Sequence, residues 1–116
     1  MQHLLRGRAA EERAVRFLRR AGLQIVARNQ NFKHGELDIV ARDAGQWVFV
    51  EVKFRHRSDY GEPAEMVTPS KQQRLHRAGL AWMQENDPEM ARPCRFDVIA
   101  ISGQQDEPLR WIKDAF

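Results

Sequence analysis

The stretch from Glu36 to Lys53 constrains the fold more tightly than any other part of this chain. Residues 36–42 and 46–53 are rich in β-branched and aromatic side chains, with polar residues at every second position near their outer ends, and Asp43-Ala44-Gly45 separates them. Alternation at period two marks strands, and a short polar break between two such runs marks a hairpin. With the turn centred between Ala44 and Gly45, Leu37 faces Val52, Ile39 faces Val50 and Ala41 faces Val48. That face is wholly apolar and must be core. The opposite face pairs Glu36 with Lys53, Asp38 with Glu51, Val40 with Phe49 and Arg42 with Trp47. A slip of one residue in one strand would mix the two faces, so the pattern supports its own register.

This register makes Asp38 and Glu51 direct neighbours, with Cβ atoms about 5 Å apart. Like charges in that position destabilise a sheet, and a divalent cation offsets them. Mg²⁺ suits such a pair because it takes one or two carboxylates and completes its shell with water and phosphate oxygens. Lys53 lies two residues beyond Glu51 and so on the same face. Two acids and a lysine can hold a metal, position a phosphodiester and activate water. The competing reading is a solvated hairpin face, with Glu36–Lys53 a plain surface pair. Val40, Phe49 and Trp47 make that face too apolar for open solvent. Something covers its far end, and the acids then line a cleft.

Around the hairpin, residues 8–21 carry Ala10, Ala14, Phe17, Leu18 and Ala21 at helical spacing, and Gly22 follows as a stop. Residues 23–28 alternate as a strand, and residues 29–35 are turn material. A long polar loop spans 54–69, and Thr68-Pro69-Ser70 opens a second helix that Asn86-Asp87-Pro88 ends. Residues 95–101 form a strong strand and 109–113 a weaker one. The order α-β-β-β-α-β-β predicts an α/β fold with a mixed sheet and flanking helices, and 116 residues make one domain, 1–116. A single cysteine, Cys94, excludes an intramolecular disulfide and a cysteine-rich zinc site. No leader or membrane-length apolar run stands in the sequence, which predicts a cytosolic protein with no membrane partner. The charge balance, 19 Lys+Arg against 16 Asp+Glu, permits a nucleic-acid partner without demanding one.

Each helix adds one residue to the hairpin's acids. Glu11 falls inside the apolar arc of the first helix and Glu12 outside it, so Glu11 points inward and needs a positive partner. Lys71 lies on the stripe of Leu75, Ala78 and Trp82 in the first turn of the second helix, where the helix dipole disfavours a cation. An edge glutamate and a snorkelling lysine are the plainer readings of these two. Only four lysines exist, Lys33, Lys53, Lys71 and Lys113, and two of them fall at these positions. Lys33 before the acids, and Arg55 and Arg57 after them, add positive charge suited to phosphate.

Gly35-Glu36-Leu37-Asp38-Ile39-Val40, Val48-Phe49-Val50-Glu51-Val52-Lys53 with Arg55, Tyr60-Gly61, Lys71, residues 95–101 and the final Asp114-Ala115-Phe116 resemble the YraN family of uncharacterised bacterial proteins. That family looks like a branch of the restriction-endonuclease-like PD-(D/E)XK nuclease superfamily, close to Holliday-junction resolvases. The resemblance covers nearly the whole chain. It implies a restriction-endonuclease-like core and Mg²⁺-dependent (or Mn²⁺-dependent) hydrolysis of DNA phosphodiester bonds, at branched or other structured DNA. By position, Asp38 is the motif aspartate, Glu51-Val52-Lys53 the (D/E)XK segment, and Gly7-Arg8-Ala9-Ala10-Glu11 resembles the resolvase helix whose glutamate completes the site. Leu37 stands where the motif has proline, and Arg8 where the family usually has glutamate. The resemblance implies catalysis and metal binding by Asp38, Glu51 and Glu11 with Lys53, phosphate contacts from Lys71, Arg55, Arg57 and Lys33, and a homodimer, since resolvases cut two strands at two sites. The alternatives are a non-catalytic nucleic-acid-binding module and an interaction domain that self-associates through Trp47 and Phe49.

Overall fold

The computed structural model describes residues 2–55, 67–103 and 108–116, with the side chains of 2–6 and of Arg55 outside that description. Its elements are α1 (Gln2–Arg20), β1 (Gln24–Phe32), β2 (Gly35–Asp43), β3 (Gln46–Arg55), α2 (Pro69–Asn86), β4 (Cys94–Ser102) and β5 (Arg110–Ile112). The strands form one sheet in the order β1-β2-β3-β4-β5. Only β3 and β4 run parallel, and α2 lies in the connection between them, as parallel neighbours require. The α/β class and the order α-β-β-β-α-β-β are those read from the sequence.

Each helix covers one face of the sheet. Ala10, Ala14, Val15 and Leu18 of α1 pack on Ile39, Ala41, Val48, Val50, Ile99 and Ile101. Leu75, Ala78 and Trp82 of α2 pack on Leu37, Val40, Trp47, Phe49, Phe96 and Val98. The cover that the apolar Val40, Phe49 and Trp47 called for is therefore α2. Trp82 meets Trp47 edge-on, with ring centroids 4.8 Å apart, and stands 5.9 Å from Phe49. Gly79 lets α2 come this close, because a Cβ there would lie 2.8 Å from Phe96 Cζ.

The helix ends follow from local chemistry. Gly22 takes φ 96°, and its N–H and that of Leu23 bond to the carbonyls of Arg19 and Leu18. This is a Schellman stop, with Leu23 and Leu18 both in the core. At α2 the Thr68 hydroxyl accepts the Lys71 amide at 3.2 Å, and Pro69 occupies the first turn, where its missing N–H costs nothing.

Three expectations need correction. Residues 29–35 are not all turn: β1 continues to Phe32, leaving Lys33 and His34 as the turn, because Phe32 packs against the α2-side core. Phe17 is not core but 36% exposed, set edge-on to Trp111 at 5.7 Å, while Val15 takes the buried place. The hairpin register holds from Asp43↔Gln46 to Ile39↔Val50 but goes no further. Beyond Ile39, Leu37 turns to the α2 side of the sheet, so it does not share a face with Val52, which packs toward α1.

Candidate active site

The acids stand where β2 and β3 part. β2 continues its pairing with β1 down to Gly35↔Phe32, while β3 continues with β4 as far as Arg55↔Ser102. Asp38 fills the gap between the departing strands: its Oδ2 accepts the backbone N–H of Val52 at 2.9 Å. A side chain thus replaces a ladder bond and fixes one carboxylate beside the other strand. Asp38 and Glu51 are not ladder partners, as the extended register had them, yet their carboxyl groups lie within hydrogen-bonding reach of each other.

Burial sets the electrostatics of this pair. Glu51 is 8% exposed, and its Oε2 is buried with no hydrogen-bond partner. Desolvation, and then the neighbouring Asp38, push its carboxyl up to about 7, against the pull of Lys71 and Lys53. Asp38 is raised too, by desolvation, although the Val52 amide, Glu51 and the same lysines oppose the shift. Near neutral pH the two groups share a proton, with Glu51 its natural holder.

Lys53 on β3 and Lys71 on α2 are half-buried and act on both carboxyls. The helix-dipole conflict foreseen at Lys71 is met by the acids themselves. Glu11 faces inward and Glu12 outward, with side chains 19% and 52% exposed. Glu11 lies close enough to Asp38 for that charge to raise its carboxyl, after desolvation, which is the larger cause. Its positive partner is a residue the sequence reading passed over, Arg28 of β1. Arg28 places Nη1 2.8 Å from Glu12 and Nη2 3.7 Å from Glu11. The findable signal was two adjacent glutamates in a helix that leads directly into a strand carrying an arginine.

Not every candidate gathers here. Lys33 is exposed in the β1–β2 turn. Arg57 and the Arg55 side chain lie outside the described residues, as do Tyr60 and Gly61. Asp97 belongs elsewhere: it is fully buried, is bonded by Arg95, Trp111 and the Asp114 amide, and serves the fold.

Among the described residues, no three His, Cys, Asp or Glu side chains converge into a metal-binding group. The Asp38–Glu51 pair nevertheless fits a hard cation such as Mg²⁺. Two carboxylates suffice for an ion that keeps several waters, and Glu51 Oε2 and Glu11 Oε1 are buried oxygens lacking a donor. What the arrangement offers chemically is concentrated negative charge, two ammonium groups and a carboxyl that exchanges its proton near pH 7.

A family model described as "Uncharacterised protein family UPF0102" matches residues 10–101. A UPF0102 protein of Yersinia enterocolitica is 45% identical over 117 aligned residues, covering 100% of this chain and 97% of the relative. UPF0102 proteins of Yersinia pseudotuberculosis and Yersinia pestis are each 47% identical over 107 residues, covering 91% of this chain and 89% of each relative.

Proposed function

The chain belongs to uncharacterised protein family UPF0102, and from its site we propose that it is a metal-dependent endonuclease hydrolysing DNA phosphodiester bonds, with branched or otherwise structured DNA as the substrate class. The observation that carries this reading is the pair of half-buried Asp38 and buried Glu51, flanked by lysines from two separate elements. The resemblance of residues 35–40 and 48–53 to the PD-(D/E)XK motif supports it, as does a mixed sheet covered by a helix on each face.

In this reading Asp38 and Glu51 hold Mg²⁺ or Mn²⁺, with Glu11 beside them. The bound ion would neutralise charge on the phosphate and lower the pKa of a coordinated water. The Val52 amide holds Asp38 in place through Oδ2 at 2.9 Å, which fixes this carboxylate beside Glu51. Glu51 would hold a cation as the ionised carboxylate, since the positive charge would offset the desolvation that now favours its protonated form. Lys53 orients the attacking water or the phosphate from the same strand, and Lys71 contributes a second positive charge toward a phosphodiester from α2. Two copies of the chain would supply the two sites that paired strand cuts need.

The test is incubation of the protein with branched, nicked and linear DNA in Mg²⁺ or Mn²⁺. Cleavage by the wild type that is lost in Asp38→Ala supports the proposal. Absence of cleavage, or equal cleavage by the variant, sinks it. Salt-sensitive binding without cleavage, indifferent to metal, would instead identify a non-catalytic nucleic-acid-binding module.

A further inference from the structure

The edge strand β1 carries an irregularity opposite the acids. Arg28 pairs with Ile39 and Gln30 with Leu37, so Asn29 lies across from Asp38. Inside this strand Asn29 takes φ 52°, the left-handed region. That conformation costs a non-glycine residue about 1 kcal/mol, less for asparagine, and interrupts the alternation of side chains. The interruption coincides with the change of faces on β2, where Ile39 packs toward α1 and Leu37 toward α2. Asp38 sits at that changeover and leaves the sheet for the site.

The same residue reaches Glu11. Asn29 turns its side-chain amide to the Glu11 carboxylate, beside the longer 3.7 Å approach of Arg28 Nη2. Arg28 is anchored on Glu12 at 2.8 Å, so it cannot close fully on Glu11. Glu11 Oε1 is left buried without a hydrogen-bond partner. Arg28 Nη2 approaches this same oxygen at 3.7 Å without bonding it, so Oε1 is an unfilled acceptor on a carboxylate close to Asp38.

We propose that Asn29 is a positioning residue which, together with Arg28, holds the Glu11 carboxylate beside Asp38 and leaves one of its oxygens open to a divalent cation. The inference rests on the reading of Asp38 and Glu51 as a metal site. It adds β1 to α1, β2, β3 and α2 as a wall of that site. A purely structural role for Asn29, serving the left-handed backbone alone, makes a different prediction, and glycine separates the two. Asn29→Gly keeps that backbone conformation without strain and deletes the amide.

The experiment is a Mg²⁺ titration of chelator-stripped protein without DNA, followed by calorimetry and by thermal stability. Asn29→Gly should match the wild-type Tm without metal yet need about tenfold more Mg²⁺ to reach half-saturation, the range typical of lost outer-shell support. Glu11→Gln should weaken binding to a similar degree. The double variant should be no weaker than Glu11→Gln alone, because Asn29 acts through Glu11. A wild-type midpoint in Asn29→Gly, or fully additive losses in the double variant, overturns the proposal and leaves the metal site standing. If the wild type binds no Mg²⁺, or Asp38→Asn binds it equally well, the metal reading fails and this inference fails with it.

Discussion

Replacing Glu51 by glutamine tests the electrostatics of the site without reference to any substrate. The glutamine is nearly isosteric and can donate to Asp38 as the protonated acid does. In the wild type, the folded chain holds the Glu51 proton up to about pH 7, whereas the ordinary value is 4.5. Between those values the unfolded chain ionises and the folded chain does not. A folded-state pKa raised in this way contributes stability that is complete below about pH 4.5 and is lost as pH rises through 7. At roughly 1.4 kcal/mol per pH unit, the loss is about 3 kcal/mol. For a domain of this size that is a fall in Tm of about 10 °C. Glu51→Gln should escape it. Urea denaturation in chelator at pH 5 and pH 8 measures the difference, and the comparison cancels whatever is common to both proteins. Part of that loss has already occurred at pH 5, so the variant should gain about 2.5 kcal/mol on the wild type between the two pH values. Adding Mg²⁺ at pH 8 should then stabilise the wild type and not the variant. Parallel pH dependences for the two proteins would refute the reasoning, because they would mean that Glu51 is solvated or neutralised in a way this geometry does not contain.

Other consequences are simpler. Asp97→Asn removes the buried carboxylate that receives Arg95, Trp111 and the Asp114 amide, leaves Arg95 its bonds to Asp43 and Gln46, and should cost about 3 kcal/mol in urea denaturation, the low end of the penalty for breaking a buried pair. Gly79→Ala drives a methyl group to 2.8 Å from Phe96 and should lower stability by about 1–3 kcal/mol, with the far-ultraviolet spectrum unchanged. Lys53→Met should reduce DNA cleavage by about 10²–10⁴-fold while Mg²⁺ binding measured by calorimetry persists.

The legible parts of this fold were those in which one periodicity runs uninterrupted. Two helices, the β2–β3 register from Ile39 to Asp43, and the strand around Phe96 and Val98 all carry side-chain patterns that one buried face dictates. The errors fall where the period breaks. Alternation placed Leu37 with Val52, but β2 changes faces at Asp38 once it leaves β3 for β1. A turn composition was read across residues 29–35 because Asn29, Asn31 and Gly35 are turn formers, yet Asn29 spends its left-handed conformation inside a strand. Glu11 was read correctly as inward from its helical angle, while Arg28 was missed because no local pattern links a strand residue to the helix before it. The candidate acids were visible as neighbours for a partly wrong reason: they meet by a side chain replacing a ladder bond, not by lying opposite each other in a ladder.

The cost of that arrangement bears on which function to expect. The fold has no need of two carboxyls in contact behind α2. Well-packed apolar residues at such positions are often neutral or more stable. Asp97 shows what this chain does with a buried acid that serves structure: it receives bonds from Arg95, Trp111 and a backbone amide. Glu51 has no such set, and its Oε2 goes without a donor. Two acids of one chain, both buried, are thus treated in opposite ways. The satisfied one sits among groups that fix it, and the unsatisfied one sits beside a second carboxyl and two lysines that move its proton affinity in opposing directions. A site meant only to bind the phosphate backbone would gain from the lysines and lose from the acids. A site meant to gather a cation against a phosphate uses both, which is why the unsatisfied pair favours turnover over mere binding.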